Sequence, residues 1–169
     1  SLREQGLLRR VRRLALRHIS NISEDGIFEL GAKVLGGLEE LSLGGCTKLT
    51  NVTMYTLVAH CDSLTTLRLD GCRWIDDAGI QVLSERFAPS PAERFATARP
   101  TRHTEAYSGI LPLAQLTAID VSKLPRVSDT GICPLVYNRS NLTDLNVALC
   151  GGGGGAVVGD ASLRELAAS

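Results

Sequence analysis

Aromatic side chains are scarce. Three phenylalanines, three tyrosines and a single tryptophan amount to 4% of 169 residues, so any core must be filled by aliphatic groups rather than by large rings. No stretch approaches the roughly 18 apolar residues of a membrane span, and the first residues carry no signal-peptide apolar run. Neither sign of charge prevails: 18 Lys and Arg oppose 18 Asp and Glu, which excludes a global electrostatic pull toward nucleic acid or an anionic membrane. Cysteine is present, but its number, five, is odd, and no C-x-x-C or H-x-x-x-H pair occurs. A disulfide framework and a zinc motif are therefore both missing. The expectation is a soluble, intracellular chain with reduced thiols, placed in the cytoplasm with nucleus and cilium left open.

What the chain does have is repetition. Leu38, Leu41, Leu43 and Cys46 return 26 residues later as Leu64, Leu67, Leu69 and Cys72. The same ladder opens earlier at Val11, Leu14 and Leu16, and later at Leu116, Ile119 and Val121 and at Leu142, Leu145, Val147 and Cys150. Five units of the form L-x-x-L-x-L-x-x-C at this period are the signature of a leucine-rich repeat, each laying down a short strand, turning, and returning by a helix. The expected fold is α/β: a leucine-rich-repeat solenoid, a right-handed αβ superhelix with a parallel inner sheet and outer helices. Residues 1–169 read as a single domain.

Helix starts fall where this register requires them. After Ile22, Leu49, Ile75 and Val127 come Ser23, Thr50, Asp76 and Ser128, each able to accept a backbone N–H as an N-cap. Glu24, Asn51, Asp77 and Asp129 follow, mostly carboxylates at the positive end of a helix dipole. Ile27 with Leu30, Met54 with Leu57, Ile80 with Leu83 and Ile132 with Leu135 then give each helix one apolar face. Gly26, Gly79 and Gly131 precede that face, and close packing against a neighbouring coil is the expected compensation for their poor helix propensity.

Two stretches break the pattern. Leu64 and Leu116 are two periods apart with only one strand between them, and 88–112, rich in Pro, Ala and Arg, reads as an insertion, with a degenerate repeat as the alternative. The glycines Gly151 to Gly155 read as a five-residue insertion whose removal restores the register at Val158, Asp160, Leu163 and Leu166.

The string L-x-x-L-x-L-x-G-C-x-x-[IL]-[ST]-D-x-G-[IL]-x-x-L, best preserved in Leu64 to Leu83 and recognisable in Leu116 to Leu135, resembles the cysteine-containing repeat of F-box proteins. That resemblance implies a curved solenoid holding a substrate protein. It also implies a separate N-terminal F-box binding the Skp1 adaptor of a cullin-type (SCF) ubiquitin ligase. No F-box-like segment stands in these residues, and a fragment of a longer protein is expected. Similar repeats occur in scaffold subunits of the ciliary dynein regulatory complex, which gives a second, non-ligase reading. Ile19 and Leu124 in the cysteine column, and Thr53 in the glycine column, read as ordinary repeat drift.

No catalytic constellation emerges, and no cofactor or metal is expected. His18, His60 and His103 are scattered, and Cys46, Cys61 and Cys72 lack ligand spacing. Gly151-x-Gly153-x-x-Ala156 has the look of a dinucleotide-binding turn, but the acidic residue required about 20 positions on, after a second strand, has no room. A nucleotide-binding enzyme is thus a distant alternative. The positions flanking the inner leucines alternate outward: Arg13, Ala15, Arg17; Glu40, Ser42, Gly44; Thr66, Arg68, Asp70; Ala118, Asp120, Ser122; Asp144, Asn146, Ala148. This concave ladder runs from basic to acidic, with Arg9, Arg10 and Arg12 reinforcing the basic end, and suits a protein partner rather than nucleic acid or membrane. Trp74 shares a column with Asn21, Lys48 and Arg126, so it is expected to be exposed and to serve as an apolar anchor. Cys46, Cys72 and Cys150 are expected to be buried thiols. Limited proteolysis should cut first between Ala88 and Arg102; hydrogen-exchange protection throughout that stretch would mark it as a repeat instead.

Overall fold

The computed structural model describes residues 11–84 and 113–151, together with Val158, Gly159, Ala161 and Arg164. Five short strands, β1 (Arg13–Ala15), β2 (Glu40–Ser42), β3 (Thr66–Arg68), β4 (Ala118–Asp120) and β5 (Asp144–Asn146), form one parallel sheet in chain order. Its register is the one the leucines impose: Leu14 pairs with Leu41, Leu41 with Leu67, Leu67 with Ile119, and Ile119 with Leu145. The strands are followed by α1 (Glu24–Lys33), α2 (Asn51–His60), α3 (Asp77–Gln81) and α4 (Asp129–Asn138). β3 pairs directly with β4; the expected insertion at 88–112 lies outside the described residues, as do Arg9, Arg10, His103, Asp160, Leu163 and Leu166.

Ladder leucines and helix faces share one aliphatic core. Leu41, Leu67 and Ile119 pack with Ile27, Met54, Leu57, Ile80 and Ile132, each fully buried large side chain contributing about 1.5–3 kcal/mol. Leu14 and Leu145 are only half-buried, because among the described residues β1 and β5 each have a neighbouring strand on one side alone. None of the described helices is long and apolar enough to cross a membrane.

The N-caps stand where the spacing placed them. Ser23, Thr50, Asp76 and Ser128 accept the N–H of Gly26, Val52, Ala78 and Thr130 at 3.0–3.3 Å, each cap stabilising its helix by about 1 kcal/mol. The residue after each cap does more than meet a helix dipole. Glu24 accepts the N–H of Thr50, Asn51 that of Asp76, Asp77 that of Ser128, and Asp129 that of Gly159. One side chain per coil therefore ties its helix to the cap of the next. Gly159 falls at the cap position that removing five glycines had assigned to it.

This tie explains the glycine column and corrects one reading of it. A Cβ at Gly79 would strike the Asn51 amide, and one at Gly131 the Asp77 carboxylate, whereas Gly26, in the first coil, faces only open space and its own Ser23. Thr53 is not drift: its hydroxyl donates to Glu24 Oε2 at 2.6 Å, so the longer carboxylate is matched by a residue that can bind it.

On the opposite side of the sheet Thr65, Thr117 and Thr143 each donate both backbone N–H and hydroxyl to one carbonyl of the preceding coil. Pro134 interrupts α4 and leaves the Thr130 carbonyl without its intrahelical donor; Gln81 Nε2 donates to it at 2.9 Å. Arg139, which the spacing had not singled out, is 2% exposed and donates to the carbonyls of Leu83 and Leu113. Burial pulls its pKa down to about 10.

The cysteine column also donates. Cys46 Sγ reaches the Leu16 carbonyl at 2.9 Å, Cys72 Sγ the Leu43 carbonyl at 3.2 Å, and Cys150 Sγ the Val121 carbonyl at 2.9 Å. Cys46 and Cys72 are buried as expected, while Cys150, in the last described coil, is only half-buried, a correction that follows from its end position. The residue before each position of this column, held by Ile19, Cys46, Cys72, Leu124 and Cys150, is left-handed: His18, Gly45, Gly71, Lys123 and Leu149 all have φ between 57° and 74°. The turn demands that conformation, and only two units meet it with glycine.

Burial pushes the thiols of Cys61 and Cys72 up to about 12. Since their folded pKa exceeds the unfolded value, the stability they confer is full below about pH 8.5 and is lost as pH rises toward 12. Chemical denaturation should therefore show stability falling above about pH 9 by roughly 1.4 kcal/mol per pH unit per buried cysteine. Cys72→Val should flatten that slope. A slope unchanged in Cys72→Val would show that the thiol is not the titrating group.

Candidate functional site

The outward face of the sheet gathers most of the charged candidates, and the parallel register decides how they meet. Row by row it carries Arg13, Glu40, Thr66, Ala118 and Asp144, then Ala15, Ser42, Arg68, Asp120 and Asn146. Beyond the strand ends lie Arg17, Gly44, Asp70, Ser122 and Ala148. Strands roughly 4.8 Å apart bring neighbours in a row into direct reach.

The basic end is not a bare cluster of cations. Arg13 Nε lies 3.4 Å from Glu40 Oε1, and Arg12 Nε 3.7 Å from Glu39 Oε1. Arg17 Nη2 donates to Asp70 Oδ2 at 2.9 Å. Arg17 and Asp70 are two strands apart, with Gly44 between them. A Cβ on Gly44 would collide with the Asp70 carboxylate, so the missing side chain is what lets this bridge span a strand.

Several outward positions are covered rather than open, which corrects the expected exposure of the ladder. Ser42, Gly44 and Ser122 are buried, and the Asp70 side chain is 12% exposed. The reason is size: each small residue sits in register beside a longer one, Ser42 beside Arg68, Gly44 between Arg17 and Asp70, Ser122 beside Asp70. Asp120 Oδ1 accepts the N–H of Ser122, and Asn146 Oδ1 that of Ala148, closing the turn after each strand. Asp120 is half-buried, while Arg68 and Asp144 are exposed.

Trp74 is 53% exposed, as its column implies. It stands away from the strand rows, in the turn leading to α3, with the Arg126 guanidinium 5.5 Å from its ring centroid. Such an exposed cation–π contact is worth about 0.5–1 kcal/mol. Lys48 Nζ donates to Asn21 Oδ1 at 3.3 Å in the same column, so this row is a second polar ladder with one ring in it.

A depression of about 130 Å³ lies on the strand face, walled by Arg13, Glu40, Thr66 and Arg68 over Ala15 and Ser42. Ser42 Oγ and Asp70 Oδ1 are buried there or beside it without a hydrogen-bond partner, which spacing had not flagged. On the helical side a shallow hollow of about 300 Å³ is lined by Cys133, Pro134, Tyr137 and Asn138. Among the described residues no three His, Cys, Asp or Glu side chains assemble a metal site.

No family model and no curated protein matches the sequence. Solved structures do share the fold. The tropomodulin C-terminal domain of Caenorhabditis elegans superposes with a TM-score of 0.63 at 9% identity, over 97% of this chain and 87% of that one. Rad7, from a crystal structure of the yeast Rad7 and Elc1 complex, is matched with a TM-score of 0.60 at 22% identity, over 89% of this chain and 30% of that chain. At these identities the likeness concerns the fold: an α/β arrangement of leucine-rich-repeat type.

If Gly44 exists to seat Asp70, Gly44→Ala should cost about 1–2 kcal/mol through the displaced carboxylate and the lost Arg17 contact. In an Asp70→Ala background the same substitution should cost little. A double-mutant cycle by urea denaturation checks this, and equal costs in both backgrounds would refute the assignment.

Proposed function

We propose that the chain is a protein-interaction module, a leucine-rich-repeat solenoid whose concave strand face binds a protein partner without catalysing a reaction. The observation that carries this reading is the row structure of the sheet: polar side chains from five strands in register on one face, their apolar neighbours committed to the core. Hollows on this face are shallow, which fits a broad macromolecular contact better than an enclosed small ligand. Rad7, which shares the fold, was solved in complex with Elc1, and that supports a partner-binding role.

More narrowly, the partner is a substrate and the chain is the recognition part of an F-box-type (SCF) ubiquitin ligase, linked to Skp1 and cullin by an N-terminal F-box outside these residues. The specific support is the L-x-x-L-x-L-x-G-C repeat at Leu64 to Leu83. A structural scaffold, as in the dynein regulatory complex of a cilium, needs the same fold and no adaptor.

Photo-crosslinking decides the face. A benzophenone amino acid at Thr66 or Asp144 should capture a partner that the same group at Val52 or Tyr137, on the helical side, does not. Charge reversal at Arg13, Arg17 and Arg68 should slow association, and Trp74→Ala should mainly hasten dissociation. Capture from the helical side alone would overturn the concave assignment. Copurification of Skp1 with the full-length gene product would favour the ligase reading, and a full-length product bearing no F-box would favour the scaffold.

A further inference from the structure

Among the described residues, charge pairing on the strand face leaves Arg68 over. Arg13 is matched by Glu40 and Arg17 by Asp70. Arg68 is exposed, and among the described residues it forms no ion pair. Its neighbour in register, Asp120, turns its carboxylate back onto the Ser122 N–H. Beside Arg68 on the other side lies Ser42, 7% exposed, whose hydroxyl has no partner. A buried unpaired hydroxyl costs about 1–3 kcal/mol, which a bound group would recover. Ala15, the next residue in that row, has only a methyl group, so of the two neighbours of Ser42 only the mobile-ended Arg68 side chain is long enough to cover it. The resulting depression of about 130 Å³ has room for about four waters at roughly 30 Å³ each, the size of a single polar headgroup.

We propose that this depression seats the oxyanion of an acidic side chain on the partner, a carboxylate or a phosphoryl group. The Arg68 guanidinium supplies the charge-assisted fork, and the Ser42 hydroxyl donates from the floor. Thr66 and the Arg13–Glu40 pair form the walls. Glu40 does not repel the ligand as a free charge would, because Arg13 lies against it. This assignment deepens the docking reading and rests on it: it names what the strand face recognises.

The test is a titration of the isotopically labelled chain with O-phosphoserine and with N-acetyl-aspartate amide, each against sodium chloride at matched ionic strength. The arginine Nε–H resonances and the amides of 40–44 and 66–70 are followed. Saturable shifts centred on Arg68 and Ser42 are expected. Arg68→Gln should weaken binding at least about tenfold, Ser42→Ala should weaken it by a smaller factor, and Tyr137→Ala, on the helical side, should leave it unchanged. Binding of phosphoserine alone assigns a phosphorylated partner; binding of both assigns an acidic one. Shifts reproduced by chloride, or equal in Arg68→Gln, overturn the site. A protein partner that is lost on Thr66→Arg or Asp144→Arg yet indifferent to Arg68→Gln overturns this inference alone and leaves the docking face standing. A partner lost only by helical-side substitutions overturns both.

Discussion

Parallel stacking in register is the constraint to which the rest of this chain answers. Leu14, Leu41, Leu67, Ile119 and Leu145 lie one above another, so every position of the repeat meets its own counterpart about 4.8 Å away. An apolar column can satisfy that by packing on itself. A polar column cannot, since like carboxylates or arginines that close would repel. Each polar column is therefore solved individually. The carboxylates after the helix caps point not at one another but at backbone N–H groups of the next coil. Threonines and cysteines likewise donate back to carbonyls of the coil before. These ties give backbone groups at the turns their partners, and they are directional, which fixes each coil's rotation on its neighbour in a way that leucine packing alone does not.

The same rule shapes the outer face. Rows there alternate in sign or fall to small residues, so that Arg13 meets Glu40 and Arg17 reaches over Gly44 to Asp70. Individually such pairs are weak, about 0–1 kcal/mol when exposed. Their effect is on pattern: they consume most of the charge on β1 to β3 and leave Arg68 as the cation with an opening beside it. The face keeps exposed charge of both signs, Arg68 near its centre and Asp144 on β5, and on the proposed reading that pattern would favour discrimination between partners over indiscriminate attraction.

The register, the caps and the aliphatic core were legible in the sequence because each is a statement about spacing along one coil. Ser23, Thr50, Asp76 and Ser128 cap helices, and Leu38 through Leu135 fill the core, as their positions require. What spacing could not convey is contact between coils. Asp77 reads as a helix-dipole residue until Ser128, 51 positions away, is seen donating to it. Thr53 reads as drift until Glu24 is seen beside it. Burial of Ser42 and Ser122 escapes a rule of alternation because it depends on the length of the neighbour in the row, Arg68 or Asp70, rather than on the direction of the serine itself. Arg139 offers no periodic signal at all; its partners are carbonyls, which every residue possesses.

These inter-coil contacts also bear on how the candidate site is held. Ser42 and Arg68 sit on β2 and β3, central strands paired on both sides, and the coils beneath them are joined by Asn51, which both accepts the Asp76 N–H and donates to its carboxylate. A group bound at Ser42 would meet a backbone fixed by sheet, core and cap together, so the ordering cost of binding would fall on the exposed Arg68 side chain rather than on the main chain. The outermost strands lack that support: Leu14 and Leu145 are half-exposed, and the last cysteine is incompletely covered. On the proposed reading, recognition belongs at the centre of the sheet, where Arg68, without an ion pair among the described residues, stands beside the unpartnered buried hydroxyl of Ser42.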